Sequence, residues 1–229
     1  LRVIRMPNLE ADFVPYYLLT RNYFEKGDEV GNVIYSNDHD LWQCLDDHVF
    51  IFSKIGKRKK ILKSGNVMES YLKKKNDIPD SYLPFAMSVI GDSGDDVTGV
   101  EQVGPATFLK VFDQLVAMTG SLEQIYDKVE SNQDLFNFIP PSISNKKLDS
   151  IVQAELAKKT ISNNLKLVSF ELISRAIENP SSTEMRDKRK VIENHFKGER
   201  QVASLDAMKS ALKRNGVFLE ESSIDFLYI

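Results

Sequence analysis

The sequence predicts an α/β fold, a partly parallel sheet with helices, followed by an α-helical region. Three observations carry that prediction. Short apolar runs alternate with helical stretches over the first 66 residues, an order that builds parallel strands. From Val67 onward the apolar residues recur at helical spacing and strand-like runs cease. A chain of 229 residues that is 42% hydrophobic and 28% charged also has ample apolar mass for a packed core. The expected organisation is an α/β part over 1–66 and a helical part over 67–229.

Each element has its own signal. "LRVIRM" reads as a strand of apolar residues alternating with arginine; it starts at Leu1 without a lead-in, so the chain is expected to begin inside a domain. "PNLEADFVPYYLLTRNYFEKGD" reads as a turn at Pro7-Asn8 and then a helix, with Pro15 an awkward residue inside it. "GNVIYS" is a short strand, "NDHDLWQCL" a loop entering a helix, and "HVFIFSKIGKRKKILKS" two strand runs separated by Gly56 and a basic cluster. Helices are expected at "VMESYLKKKN", "SYLPFAMSVIGD", "ATFLKVFDQLVAM", "SLEQIYDKV", "NKKLDSIVQAELAKKTISNNLKLVSFELISRAI" and "SLDAMKSALKRNG". Loops fall at "IPPSIS" and "ENPSSTEMRD". Trp42, Cys44, Phe108, Phe112, Leu115 and Val116 are expected in the core.

Composition excludes several classes. A net charge of −3 rules out a uniformly basic nucleic-acid binder and leaves local patches to do any such work. A single cysteine, Cys44, excludes an internal disulfide and a cysteine-built zinc site, and points to a reducing, intracellular compartment. No apolar run approaches the roughly 20 residues that span a bilayer, and no secretory leader pattern opens the chain.

The acidic residues are placed suggestively. Glu10 and Asp12 follow the first predicted strand, and Asp38 and Asp40 follow the second at a spacing that points both side chains the same way in extended chain. In a parallel sheet these strand ends share one edge, so four carboxylates are expected to converge there. Such a cluster repels itself without cations, and hard oxygen ligands suit Mg²⁺ or Mn²⁺. Two such ions, roughly 3.5–4 Å apart, clamp the attacking and leaving oxygens of a phosphodiester. Either pair taken alone reads better as helix capping or a solvated loop than as a metal site.

Order along the chain narrows the choice. "NLEAD", "SNDHDL" and "SVIGDSGDDVTGVEQVGPATFLK" resemble, in sequence and spacing, the E-A-D-D, (T/S)-x-D-K-D and glycine-turn motifs of the 5′ nuclease family. That family includes bacterial and phage 5′→3′ exonucleases and flap endonucleases. The resemblance is strong to about Asp113; beyond it rests on a helical bundle and on "NNLKLVSFEL", which looks like the family's late strand-like stretch. It implies a PIN-like α/β core followed by a helix–three-turn–helix, and Glu10, Asp12, Asp38, Asp40, Asp92 and Asp95 as catalytic carboxylates holding two Mg²⁺ or Mn²⁺ ions. It further implies that the turn Gly99-Val100-Glu101-Gln102-Val103-Gly104-Pro105 grips a DNA phosphate through its backbone, with K⁺ a candidate guest at the turn's carbonyls. Gly99 and Gly104 are expected to supply unusual backbone conformations and close approach, and Pro105 to preset the helix. Thr107 and Lys110 are candidate phosphate contacts, joined by Lys57, Arg58 and Lys59 in the basic hairpin tip with Lys54, Lys60 and Lys63. The runs Lys73-Lys74-Lys75 and Arg186 with Lys188-Arg189-Lys190 also suit a merely solvated surface.

Departures from the family pattern carry information too. Phe13 stands where an aspartate is usual, Pro15 and Tyr16 replace an aliphatic and a small residue, and His39 replaces a lysine. Relatives also carry an earlier strand with further essential aspartates and a helical arch for the 5′ strand. None of these precedes Leu1, so the chain is expected to hold part of the metal site and the C-terminal part of the α/β core. Two functions stand side by side. One is a divalent-metal-dependent 5′ nuclease acting on DNA 5′ ends, flaps and duplex in replication or repair, in the cytoplasm of a bacterial cell or phage-infected host. The other is a catalytically incomplete DNA-holding subunit of a larger replication or transcription assembly, partnered by a separate N-terminal segment or replication proteins.

Overall fold

Strands β1 (Asn32–Tyr35), β2 (Val49–Ile55) and β3 (Arg58–Leu62) form one sheet in that order; β1 runs parallel to β2, and β2 pairs antiparallel with β3. A computed structural model describes residues 10–20, 32–55 and 58–179, with positions 183, 186, 187, 189 and 190; at 54, 55, 58 and 59 it describes the backbone. The expected strand "LRVIRM", the turn at Pro7-Asn8 and the helix "SLDAMKSALKRNG" lie outside the described residues. The observed class is mixed α/β with a small, partly parallel sheet and many helices, as the sequence predicts. Tyr35 faces Phe52 in the register, so β2 runs on through Ile55 past the end of β1, and the hairpin projects beyond that edge by roughly 10 Å at the usual rise per residue.

The helices follow their sequence signals, with informative exceptions. Helix α1 spans Phe13–Thr20 and tolerates Pro15 because a proline in the first turn removes an N–H that has no intrahelical partner. Helices α2 (Val67–Leu72) and α3 (Leu83–Ile90) precede a two-stranded ribbon, β4 (Gly91–Asp92) and β5 (Val97–Thr98), which periodicity did not announce. Helix α4 (Pro105–Thr119) starts on Pro105 and stops at Gly120, whose φ of +93° favours glycine. Helix α5 (Leu122–Glu130) opens on a capping box between Ser121 and Gln124.

The long helical stretch near the carboxyl end is broken into three: α6 (Lys146–Lys158), α7 (Thr160–Val168) and α8 (Phe170–Glu178). Lys159 adopts a left-handed conformation at φ +50°, and buried Glu155 accepts the N–H groups of Ile161 and Ser162, closing the start of α7 in the manner of a cap. Ser169 then caps α8 by accepting the N–H of Leu172. This overturns the strand-like reading of "NNLKLVSFEL": Ile161, Leu165 and Val168 are buried at helical spacing, and the stretch is helix on both sides of Ser169.

Buried side chains from both sides of residue 66, including Phe13, Ile51, Leu62, Phe85, Phe108, Leu115 and Ile161, belong to one hydrophobic cluster. Trp42, Cys44, Phe108 and Leu115 are buried as expected, and Phe112 packs at the margin. Among the described residues no helix is long and apolar enough to cross a membrane.

Candidate metal centre and nucleic-acid interface

The loop leaving β1 is folded by its own side chains. Asp38 N–H donates to Ser36 Oγ at 3.1 Å and Asp40 N–H donates to Asp38 Oδ1 at 3.1 Å, two consecutive side-chain turns that end in a 3₁₀ helix from Asp40 to Cys44. The expectation of extended chain at Asp38 and Asp40 is therefore corrected. The two carboxylates approach because the side-chain turns at Ser36 and Asp38 bend the backbone there.

The second contribution comes from the β4–β5 ribbon. Its Asp92 Oδ1 accepts the N–H of Gly94 at 2.8 Å, and Asp95 sits in the four-residue tip between paired Asp92 and Val97. The base of the ribbon is unusually tight. A Cβ on Gly99 would lie 2.1 Å from the Ile90 carbonyl oxygen, and one on Gly91, whose φ is +89°, would lie 2.4 Å from Gly99 N. These glycines let two backbone segments touch, which fixes the direction in which the tip carries Asp95.

Loop and ribbon bring Asp38, Asp40 and Asp95 together: one carboxylate oxygen from each lies within 4.8 Å of the others. Asp40 is 8% exposed, and its Oδ1 has no hydrogen-bond partner. Burial first, and then the carboxylates of Asp95, Asp38, Asp12 and Asp92, push the Asp40 carboxyl up to about 7. Asp95 is raised by burial and by Asp92, Asp38, Asp12 and Asp96. Asp12 and Asp92 thus act on the cluster through space without sharing its 4.8 Å group. Asp12 also accepts the Phe13 N–H at the start of α1, and exposed Glu10 stands outside the group. An orphaned buried oxygen among repelling carboxylates fits a hard divalent cation, and the all-oxygen donor set suits magnesium or manganese.

Around the site stand Tyr71, which the sequence did not single out, and several residues that it did. Tyr71 on α2 directs its hydroxyl toward the Gly91 carbonyl at 3.4 Å, and burial together with Asp92 and Asp40 raises its pKa. Lys60 places its ammonium 5.9 Å from the Trp42 ring and donates to Ser70 Oγ, while the exposed His39 ring packs on the other member of the pair, Trp42, at 4.5 Å. Cys44, 6% exposed, has its thiol pushed up to about 12 by burial and by Asp12 and Asp46. Phe13 is buried against Tyr16, Tyr17 and Phe170, an aromatic anchor where an outer carboxylate was the comparison.

The glycine turn departs from expectation in one respect. Gly104 is in extended conformation, at φ −117° and ψ −177°, and a Cβ there would meet nothing within 4 Å. The left-handed position of the turn is instead Gln102, at φ +59°, whose Oε1 accepts from Lys147 Nζ at 2.8 Å. The fold therefore leaves room for a side chain at Gly104 and imposes no left-handed backbone there. Val100 and Val103 are buried, and their N–H groups donate to Val89 and Val100 carbonyls, so these two residues anchor the turn. Thr107 and Phe108 N–H groups share the Gly104 carbonyl. Lys110 is exposed and Thr107 half-buried on the first turns of α4. Lys57 lies outside the described residues, and Arg58 and Lys59 open β3 at the projecting hairpin.

Comparison with known proteins gives a consistent picture. No protein-family model matches the chain. It is 32% identical over 130 residues to a 5'-3' exonuclease of Buchnera aphidicola subsp. Baizongia pistaciae, covering 56% of this chain and 38% of that protein. It is 31% identical over 134 residues to a 5'-3' exonuclease of Aquifex aeolicus, covering 58% of this chain and 42% of that one. The chain therefore spans about two fifths of the length of these curated relatives. Its backbone resembles that of a bacteriophage T5 flap endonuclease solved with DNA and metal ions, with TM-score 0.54 and 18% identity over 82% of this chain and 59% of that one. Motif order, sequence identity and backbone together relate this chain to the 5′ nuclease family.

Proposed function

We propose that this chain is part of a divalent-metal-dependent 5′ nuclease that hydrolyses phosphodiester bonds in DNA, acting as a 5′→3′ exonuclease and flap endonuclease. The observation that carries the reading is Asp40: a buried carboxylate with an unpartnered oxygen, set against Asp38 and Asp95. Asp38, Asp40 and Asp95 would hold the first Mg²⁺ or Mn²⁺, and Asp12, Asp92 and Glu10 would complete the surroundings of the second. Bound ions supply Lewis acidity and charge neutralisation at the scissile phosphate. The chain's own residues would orient and exclude: Tyr71, whose hydroxyl meets the Gly91 carbonyl at the base of the ribbon, and the His39–Trp42 pair next to Asp40 in sequence. In this reading the boundary at residue 66 runs through the metal centre: residues 1–66 supply Glu10, Asp12, Asp38 and Asp40, and residues 67–229 supply Asp92 and Asp95 together with the turn that grips duplex.

In this reading the turn from Gly99 to Pro105 and the start of α4 hold a backbone phosphate at a helix amino terminus, with Lys110 and Thr107 beside it and K⁺ at the turn's carbonyls. The hairpin carrying Lys57, Arg58 and Lys59 projects from the same sheet edge as Asp38 and Asp40 and adds salt-sensitive attraction for DNA. The T5 neighbour's complex with DNA and metal ions supports both halves of the proposal.

One observation favours a second reading. The buried Phe13 removes a carboxylate from the site's margin, which suits a nuclease-like subunit that holds DNA without cutting it. Cleavage of an end-labelled 5′-flap duplex in Mg²⁺ or Mn²⁺ separates the two, with the full-length gene product compared against this chain and Asp38→Ala. Cutting that Asp38→Ala abolishes supports the nuclease. Duplex binding without any cutting selects the DNA-holding subunit.

A further inference from the structure

Both carboxylate-bearing segments are fastened to the same helix. Asn164, buried in the middle of α7, donates from Nδ2 to the Ser88 carbonyl at the end of α3 and to the Thr98 carbonyl in β5, each at 2.9 Å. Thr98 follows Val97, the residue paired with Asp92, so this amide holds the ribbon that carries Asp92 and Asp95. Gln43, three residues beyond Asp40 in the 3₁₀ helix, donates from Nε2 to the Val168 carbonyl at 2.8 Å and accepts the Phe170 N–H at 3.0 Å. Those two main-chain groups flank Ser169, where α7 ends and α8 begins. The attachment points Asn164 and Val168 are one helical turn apart, about 6 Å along the axis.

We infer that α7 is a brace for the metal centre, with Gln43 and Asn164 as positioning residues that fix the distance between the Asp38–Asp40 loop and the Asp92–Asp95 ribbon. This inference rests on the reading of the carboxylates as a divalent-cation site. Its physical basis is opposition of forces. The carboxylates repel one another and drive loop and ribbon apart, whereas two side-chain amides on one rigid helix hold them in register before any cation arrives. A site assembled in advance binds its ion without the cost of reassembly, so loosening either fastening lowers cation affinity even though neither amide touches the ion. Each amide meets main-chain groups left unpaired by helix or ribbon ends, so a hydrocarbon of similar size cannot replace it.

The test measures Mn²⁺ binding directly, by counting free Mn²⁺ from its electron paramagnetic resonance signal, in the wild-type chain and in Asn164→Leu, Gln43→Met and the control Val129→Ala. Val129 is buried in α5, so its truncation weakens the core while leaving both amide fastenings in place. The expected result is a roughly tenfold loss of Mn²⁺ affinity in both amide variants, with the control unchanged in affinity and lowered in urea midpoint. Gln43 is half-buried at the surface of the 3₁₀ helix, so Gln43→Met carries the test should Asn164→Leu fail to fold. Wild-type affinity in a folded Gln43→Met, or equal losses in the control, overturns the brace. A wild-type chain that binds no Mn²⁺ overturns the metal reading itself, and the brace with it.

Discussion

Two groups of carboxylates in this protein meet opposite fates. On the helical side, Arg175 of α8 binds Glu123 at 2.5 Å, Asp127 at 3.0 Å, Glu130 at 3.2 Å and Glu171 at 2.8 Å, and lies over the Tyr126 ring at 5.4 Å. Burial opposes the charge on Arg175, yet the hydrogen bonds it donates to Glu171, Glu123 and Glu130 outweigh it and raise the guanidinium pKa. At the sheet edge, Asp38, Asp40 and Asp95 gather more tightly, and the charges that act most on Asp40 are all negative. A fold that needed only to neutralise acid would have treated both alike. The built-in cation at one cluster and the orphaned oxygen at the other separate a structural tie from the proposed cation site.

The contrast is broken most forcefully at Asp40. Asp40→Asn is expected to reduce divalent-metal-dependent flap cleavage by about a hundredfold or more, as loss of a first ligand does, while raising the stability of the metal-free chain because a repelling charge is removed. Paired nuclease assays and urea denaturation check the two signs, and a variant that loses both activity and metal-free stability would mark Asp40 as structural.

Arg175→Met tests the other cluster. Leaving its carboxylates without their cation should destabilise the fold by about 1–2 kcal/mol, a value kept low because the acids are partly exposed and screened, with Mn²⁺ affinity untouched. Urea midpoints at low and high salt measure it, the loss shrinking as salt rises.

The pH dependence distinguishes the clusters without mutation. Asp40 titrates near 7 in the folded chain and near 4 when unfolded, so the folded state binds the extra proton between these values. Its contribution makes the metal-free protein most stable below about pH 4 relative to neutral pH, and that contribution is lost as pH rises to about 7. Millimolar Mg²⁺ should abolish the trend; denaturant midpoints in matched buffers with and without Mg²⁺ reveal it, Asp40→Asn serving as the shallower reference because Asp95 is raised as well.

The smallest effect on either cluster belongs to Gly104→Val. Its outward side is open but it caps α4, so stability should fall by no more than about 1 kcal/mol and metal affinity stay within error, while duplex affinity falls several-fold in a gel-shift titration. Unchanged duplex affinity would remove the turn from the DNA-binding surface.

Much of this was legible beforehand, for identifiable reasons. The β2–β3 hairpin, the start of α4 at Pro105 and the cap of α5 at Ser121 are short-range signals that the neighbouring residues enforce. The gathering of Asp38, Asp40 and Asp95 was readable from motif order, although its means was not: the side-chain turns at Ser36 and Asp38 leave no periodic trace. The breaks at Lys159 and Ser169 escaped notice because no glycine or proline marks them; they depend on Glu155 reaching across the break and on a left-handed lysine. Tyr71 and Asn164 were invisible for a related reason. Each acts on residues distant in sequence, and an isolated tyrosine or asparagine in a helical stretch carries no pattern of its own.

Cys44 has a practical consequence. With its thiol sealed in the core and hard to ionise, it will not compete for maleimide reagents in the folded protein. A cysteine introduced at Lys110 or Glu101 would be the one reactive thiol, ready to carry a dye or spin label without first rebuilding the protein as a cysteine-free background. Movement of the glycine turn against a labelled duplex can therefore be followed by energy transfer in real time.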